Sequence, residues 1–180
     1  MFSLFARKKP PKGPGLQGRR KLYLPENLYR RMINHCYEER PLEACGLFGG
    51  AAGHAELGFA CDNAHRSPRI YQIDDQQMVA AWRQIQQAQQ EIIAIYHSHV
   101  ETDPVPSRTD IAQATFPEAF YVIVSLKGRR PRVQAWLIVD GQVTEHQVVI
   151  VRHVNGAWHD LRQAVRSRTE PGSRPDMGQV

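Results

Sequence analysis

Two histidines stand two residues apart at His97 and His99, and Ser107-x-x-Asp110 follows after seven further residues. The run before them, Ile92-Ile93-Ala94-Ile95, is apolar and β-branched, which predicts a buried strand leading to His97. Side chains two apart on a strand share a face, so His97 and His99 project together and Ser98 faces away. Two imidazoles on one face make half of a tetrahedral zinc site. Pro104 and Pro106 then force a rigid turn into Ser107, which predicts a helix N-cap with Asp110 in the first turn. From there the Asp110 carboxylate returns as a third ligand. Three protein ligands with a fourth position left to water are the pattern of an open, catalytic site. The same Ser-x-x-Asp spacing is also that of a capping box, a structural device worth about 1 kcal/mol. Ser107 caps the helix, faces the water, or does both.

A zinc hydrolase needs a proton acceptor as well, because zinc brings a water to a pKa of about 7 and a carboxylate then moves the proton to the leaving amine. Glu43, Glu91, Glu101, Asp103 and Glu118 are the candidates. Glu43 differs from the rest. It opens an apolar stretch, Ala44-Cys45-Gly46-Leu47-Phe48, where a carboxylate is costly unless it is paired or does chemistry.

The elements that must position these residues follow from periodicity. Lys21-Leu22-Tyr23-Leu24 reads as a short strand. Pro25 suits the first position of a helix running to about Glu39, with Leu28, Met32 and Cys36 on its inner face and Pro41 ending it. Glu43–Gly50 reads as a buried strand and His54–Cys61 as its hairpin partner. Arg69–Ile73 reads as another short strand. Asp74 or Asp75 caps a second helix with Met78, Ala81, Trp82 and Ile85 on one face. After the histidines come a short helix from Ser107 to about Ala114 and a strand over Ala119–Leu126. A strand over Val133–Val139 then turns at Asp140-Gly141 into Val143–Val151. From Ala157 to about Arg168 a short helix is expected, then a loose tail. Strands interleaved with a few helices imply an α+β fold, an α-β-α sandwich.

A chain of 180 residues suits one domain with extensions. We expect a basic, disordered segment over residues 1–20, the domain over 21–150 and a C-terminal extension over 151–180. Of the net charge of +5, +7 belongs to residues 1–21, which hold no acid, so the remainder carries −2. Basic character is thus a property of the tail, which argues against nucleic-acid binding by the domain. The three cysteines have no paired spacing, which argues for a reducing compartment. No secretory pattern opens the chain and no apolar run approaches a membrane span. We therefore expect a cytoplasmic protein that does not enter a membrane; a homodimer is compatible with the composition.

The set Glu43, His97-Ser98-His99, seven residues, Ser107-x-x-Asp110 resembles the motif of the JAMM (MPN+) metallopeptidases. Pro41-x-Glu43-x-Cys45-Gly46-Leu47, Ile95-Tyr96-His97-Ser98-His99 and Tyr121-x-Ile123-Val124-Ser125-Leu126 are similar to the small bacterial Mec-type branch, over roughly residues 21–150. The resemblance implies a cytidine-deaminase-like α-β-α fold with a mixed, mainly antiparallel sheet flanked by helices. It implies one zinc ion per chain on His97, His99 and Asp110, with Glu43 as general acid/base. It gives Ser107 the part of a donor to the oxyanion of the tetrahedral intermediate. The implied substrate is a small ubiquitin-like sulfur-carrier protein, cleaved after its C-terminal Gly-Gly to release cysteine or a short peptide. Val100 stands where the family usually has proline, which predicts a more mobile loop. The spans around the motif are short, without the insertions that grip ubiquitin in eukaryotic relatives.

Two other classes compete. A non-catalytic scaffold on the same fold typically lacks ligands, and all of them are present here. A nucleic-acid-associated protein would use the basic tail, which offers charge but little aromatic interleaving beyond Phe2 and Phe5.

Overall fold

The computed structural model describes residues 20–154 and 157–161. The expected tail over 1–20 falls almost wholly outside them, as does the end of the chain beyond 161. The elements in order are β1 (Lys21–Pro25), α1 (Glu26–Glu38), β2 (Cys45–Ala51), β3 (His54–Cys61), α2 (Asp75–Gln87) and β4 (Glu91–His99). They continue with α3 (Arg108–Gln113), β5 (Phe120–Ser125), β6 (Arg132–Val139), β7 (Gln142–Val154) and β8 (Ala157–Asp160).

The strands form one sheet in the order β1-β3-β2-β4-β5-β6-β7-β8, and β1 also pairs with β7, so the sheet curls round on itself. The β1–β3, β1–β7 and β4–β5 pairs are parallel. The pairs β2–β3, β2–β4, β5–β6, β6–β7 and β7–β8 are antiparallel. This is the α+β arrangement that the sequence pattern implies, with the mainly antiparallel sheet that the resemblance implies.

Alternation along the central strands divides the core between the two faces. Phe48, Ala94, Tyr96, Phe120, Val122 and Val124 point to the side where α1 sets Leu28, Met32 and Cys36 against them. Burying Leu28 and Met32 contributes about 2 kcal/mol each. Leu47, Ile95 and Tyr121 point to the other side and meet Ala81 and Ile85 of α2, with Ile111 of α3 packed alongside. His97 and His99 continue the alternation of Ile95 and emerge on this second face. Ser98 is turned to the first, fully buried.

Local signals set most boundaries. Asp74 caps α2, accepting from the backbone N–H groups of Gln76 and Gln77 at 3.1 Å each, worth about 1 kcal/mol. Asp140 and Gly141 turn β6 into β7 with φ of 50° and 77°, the left-handed pair a two-residue hairpin needs. Pro25 takes the N-cap of α1 and not its first turn, with ψ of 139°.

Two expected elements differ. Arg69–Ile73 forms no strand beyond a single bridge between Asn63 and Ile73, because the side chain of Asn63 supplies the backbone partners there (below). The helix expected from Ala157 begins instead as β8, whose residues pair with β7 from Val151↔Asp160 to Val154↔Ala157. The long β7 offers a ladder of unpaired backbone groups, and that tertiary template overrides the weak helical preference of Trp158 and His159.

Gly46 shows how closely β2 is held beside the histidine strand. A Cβ there would collide with the Phe59 carbonyl oxygen and lie 2.5 Å from the Tyr96 ring. Gly46→Ala should destabilise the protein by about 3 kcal/mol, read as a lowered urea midpoint. An unchanged midpoint would show that the strands can part at this point.

Candidate metal centre

Three side chains converge on the α2 face at the C-terminal end of β4. His97 Nε2 and His99 Nε2 are 3.0 Å apart. His97 Nε2 lies 3.5 Å from Asp110 Oδ1, and His99 Nε2 lies 3.5 Å from Asp110 Oδ2. All three residues are buried. Ligands at about 2.0–2.1 Å from a tetrahedral zinc ion are separated by about 3.3–3.4 Å, close to the distance of each imidazole from its nearer carboxylate oxygen.

The Asp103 carbonyl is 2.9 Å from His99 Nδ1 and can only accept, so Nδ1 carries a hydrogen, and Nε2 presents a lone pair in the neutral ring or donates to Asp110 in the charged one. Asp110 is acceptor-only when ionised. A single N–H on the His97 ring cannot serve both neighbours, whereas a divalent cation serves all three. With Nε2 of His97 turned to the centre, its Nδ1 meets no hydrogen-bond partner among the described residues. The ring is held by stacking on Tyr71, at 4.2 Å between centroids and 16° between planes. Zinc fits the donor set.

Each ligand candidate is positioned by its element. The capping box expected at Ser107 is present: Asp110 N–H donates to Ser107 Oγ at 3.1 Å, and Ser107 N–H donates to Asp110 Oδ2 at 2.6 Å. The second bond orients the carboxylate toward the histidines. Ser107 therefore caps with a lone pair, and its own O–H proton is left to donate from an exposed position. Burial disfavours the charged form of Asp110, but hydrogen bonding to the two histidines and to the Ser107 backbone outweighs it and holds the carboxyl well below its usual range. Burial holds His97 below its ordinary value. For His99, burial is outweighed by Asp110 and the Asp103 carbonyl, and its pKa is raised.

Of the five carboxylates named as proton acceptors, only Glu43 is buried near this group. It lies just ahead of β2, where Ser98 N–H donates to the Ala44 carbonyl at 2.9 Å and Ala44 N–H donates to Ser98 Oγ at 2.9 Å. Cys45 pairs with His97, so the register carries Glu43 alongside His99 on the same face. Its backbone is tied on both sides, N–H to the Ser67 carbonyl at 2.9 Å and carbonyl from Asn63 Nδ2 at 3.0 Å. Burial raises the Glu43 pKa to about 7, with His99 lowering it and Asp110 adding to the rise. Asp103 instead pairs its carboxylate with Arg132 and Lys127 and offers only its carbonyl. Glu91 opens β4 at the opposite end from His99, Glu118 lies 3.8 Å from Arg20, and Glu101 is exposed.

Two residues of this site escaped the sequence reading. Asn63 is buried and organises the loop to Ile73: Nδ2 donates to the carbonyls of Glu43 and Ile70, and Oδ1 accepts from the N–H groups of His65 and Gln72. Nothing in its local sequence signals this. Tyr71 has the spacing of a strand residue, and its ring backs His97.

The chain is similar to several known proteins. The family described as prokaryotic homologs of the JAB domain matches residues 25–139. A protein of Mycobacterium tuberculosis named CysO-cysteine peptidase is 38% identical over 133 residues, 72% of this chain and 91% of that one. A desampylase of Haloferax volcanii is 33% identical over 105 residues, 54% of this chain and 76% of its own. The solution structure of a protein from Desulfitobacterium hafniense superposes with a TM-score of 0.67 at 25% identity, over 74% of this chain and 94% of that one.

The buried Glu43 carboxyl makes a pH-dependent contribution with a defined sign. A carboxyl whose folded pKa exceeds its unfolded value supports the fold fully below about 4.5, and loses that support as pH rises through about 7. In chelator-treated protein, Glu43→Gln should therefore gain thermal stability relative to wild type as pH is raised from about 5 to about 8. An advantage independent of pH would contradict a buried, titrating carboxyl.

Proposed function

We propose a specific reaction for this chain, which belongs to the prokaryotic homologs of the JAB domain and is a JAMM-type hydrolase: cleavage of the bond after the C-terminal Gly-Gly of a small ubiquitin-like sulfur-carrier protein. The observation that carries the chemistry is Glu43, a carboxylate buried beside three converging acceptor groups and raised to about 7. The substrate class rests on the relatives named as a CysO-cysteine peptidase and a desampylase.

His97, His99 and Asp110 would hold the metal, one zinc ion per chain. Zinc when bound supplies a Lewis acid and brings a water to a pKa near neutrality. The rest falls to the chain's own groups. Glu43 takes the proton of the attacking water on its carboxylate and delivers it to the departing amine. The Ser107 hydroxyl, its lone pair engaged by Asp110 N–H, keeps its proton and donates a hydrogen bond to the oxyanion. The Ser107 backbone and the Asp103 carbonyl keep Asp110 and His99 oriented. Glycines suit a substrate that must approach a buried group of this kind, since an extended glycine tail brings no side chains against the walls. The three cysteines are free and buried, which supports a reducing, cytoplasmic setting.

The test is cleavage of a carrier-Gly-Gly-Cys adduct together with metal analysis. Glu43→Ala should retain zinc and lose about 1,000-fold or more in kcat. Ser107→Ala should lose about 100-fold and also retain zinc. Asp110→Ala should fail to hold stoichiometric zinc. Cleavage by Glu43→Ala at the wild-type rate would remove Glu43 as the base. Wild-type protein that takes up no zinc would overturn the reading altogether.

A further inference from the structure

Beyond the reacting groups, the α2 face holds a cavity of about 340 Å³ that the reaction above does not use. It lies between the start of α2 and the end of α3. Ile73, Met78, Ile95, Phe116 and Tyr121 line it, and Tyr71 forms the wall toward the metal centre. Ile95 precedes His97 by two residues on the same face of β4, so the cavity extends the same surface that carries the histidines. The Tyr71 ring is shared: one side stacks on His97 at 4.2 Å and the residue also bounds the cavity. The lining is held firmly. Tyr121 Oη accepts from the Phe116 N–H at 2.9 Å, which fixes the segment after α3 against β5. Ile73 is bridged to Asn63, which also grips the Glu43 backbone. A concave space one ring away from the reacting groups, mainly apolar with Gln72, Asp75 and Gln113 as polar liners, has the character of a side-chain subsite.

We propose that this cavity binds a large apolar side chain of the residue that follows the scissile bond, and so sets which leaving groups the enzyme accepts. The inference rests on the Gly-Gly reading above and deepens it. The two residues before the bond have no side chains to offer. The first side chain met near His97 therefore belongs to the residue after it. A leucine, methionine or phenylalanine fills aromatic and aliphatic walls of this extent, while an alanine or cysteine side chain leaves most of the space to water. Exchanging a small for a large apolar group in such a pocket is worth tens-fold in specificity.

Two peptide series on the zinc-loaded, full-length protein test this. In acetyl-Gly-Gly-X-amide, kcat/KM for X = Leu or Phe should exceed that for X = Ala by about ten-fold or more. Thr115, an exposed residue at the cavity mouth, can be enlarged without entering the core. Thr115→Trp should reduce that ratio to near one, with the melting temperature reported alongside. The second series, acetyl-Y-Gly-Gly-Ala-amide, should show no comparable preference at Y. Equal rates across X, or a preference confined to Y, would overturn the assignment. A readout independent of turnover is the methyl NMR spectrum of Glu43→Gln. Acetyl-Gly-Gly-Phe-amide should shift the methyl signals of Ile73, Met78 and Ile95 more than the Ala peptide does, and equal shifts would again overturn it. If no Gly-Gly peptide is cleaved, the proposed reaction fails, while the methyl shifts still decide what the cavity binds.

Discussion

Two imidazole nitrogens 3.0 Å apart, each 3.5 Å from one oxygen of a buried carboxylate, are the constraint around which this molecule is built. Such a group is held together only by protons on its imidazoles or by a cation among its members, and nothing in a hydrophobic core would assemble it spontaneously. The surrounding structure supplies the restraint. The β4 strand delivers two imidazoles at a spacing of two residues, and α3 delivers a carboxylate already engaged by its own N-cap. The Asp103 carbonyl assigns the tautomer of His99. The short helix α3 has six residues and too little propensity to persist alone. It is held by its capping box and by Ile111 packed against the second core.

The division of the sheet into two faces explains why the reactive groups lie on one of them only. The α1 face is filled by Leu28, Met32, Cys36, Phe48 and Tyr96 and is a conventional apolar layer. Ser98, caught between the two histidines in sequence, points into that layer. There it bonds the backbone of Ala44 through both its N–H and its hydroxyl. The residue between the ligand candidates thus staples the stretch carrying Glu43 to the strand carrying the histidines. A hydroxyl at this position satisfies a buried backbone donor that an alanine would leave unpaired. Glu43 and the histidines, more than fifty positions apart in sequence, are registered through a side chain on the opposite face.

Much of this was legible in the chain itself because it is carried by short-range rules. Alternation places His97 and His99 together, the Ser-x-x-Asp spacing gives the cap, Asp140-Gly141 gives the hairpin, and an acid ahead of an apolar strand marks Glu43. What could not be read depends on contacts between distant segments. Asn63 looks like an ordinary turn residue, yet its side chain replaces the strand pairing that the pattern of Arg69–Ile73 suggests. Tyr71 has the spacing of a strand residue and serves as a stacking plate for His97. The end of β7 turns the chain after Ala157 into a strand because an edge is available there, and no local window reports an available edge. Asp103 appeared as one carboxylate among several. It matters through its carbonyl, which composition cannot distinguish.

Val100 brings the two levels together. Read alone, a valine where proline is usual in the family predicts a looser exit from the histidine strand. In the fold, the segment that follows is tied from several sides. Leu126 N–H donates to the His99 carbonyl at 2.9 Å and Ser125 Oγ to the Thr102 carbonyl at 2.6 Å. Trp136 Nε1 donates to the Pro104 carbonyl at 2.9 Å, while Arg132 pairs with Asp103. Each of these partners lies on or at the end of β5 or β6, the strands next in order after β4. Rigidity that proline would supply through one fixed backbone angle is here distributed over contacts to two neighbouring strands. The same contacts hold the Asp103 carbonyl in reach of His99 Nδ1. The tautomer on which metal binding depends is therefore secured by the sheet and not by the residue immediately after the motif.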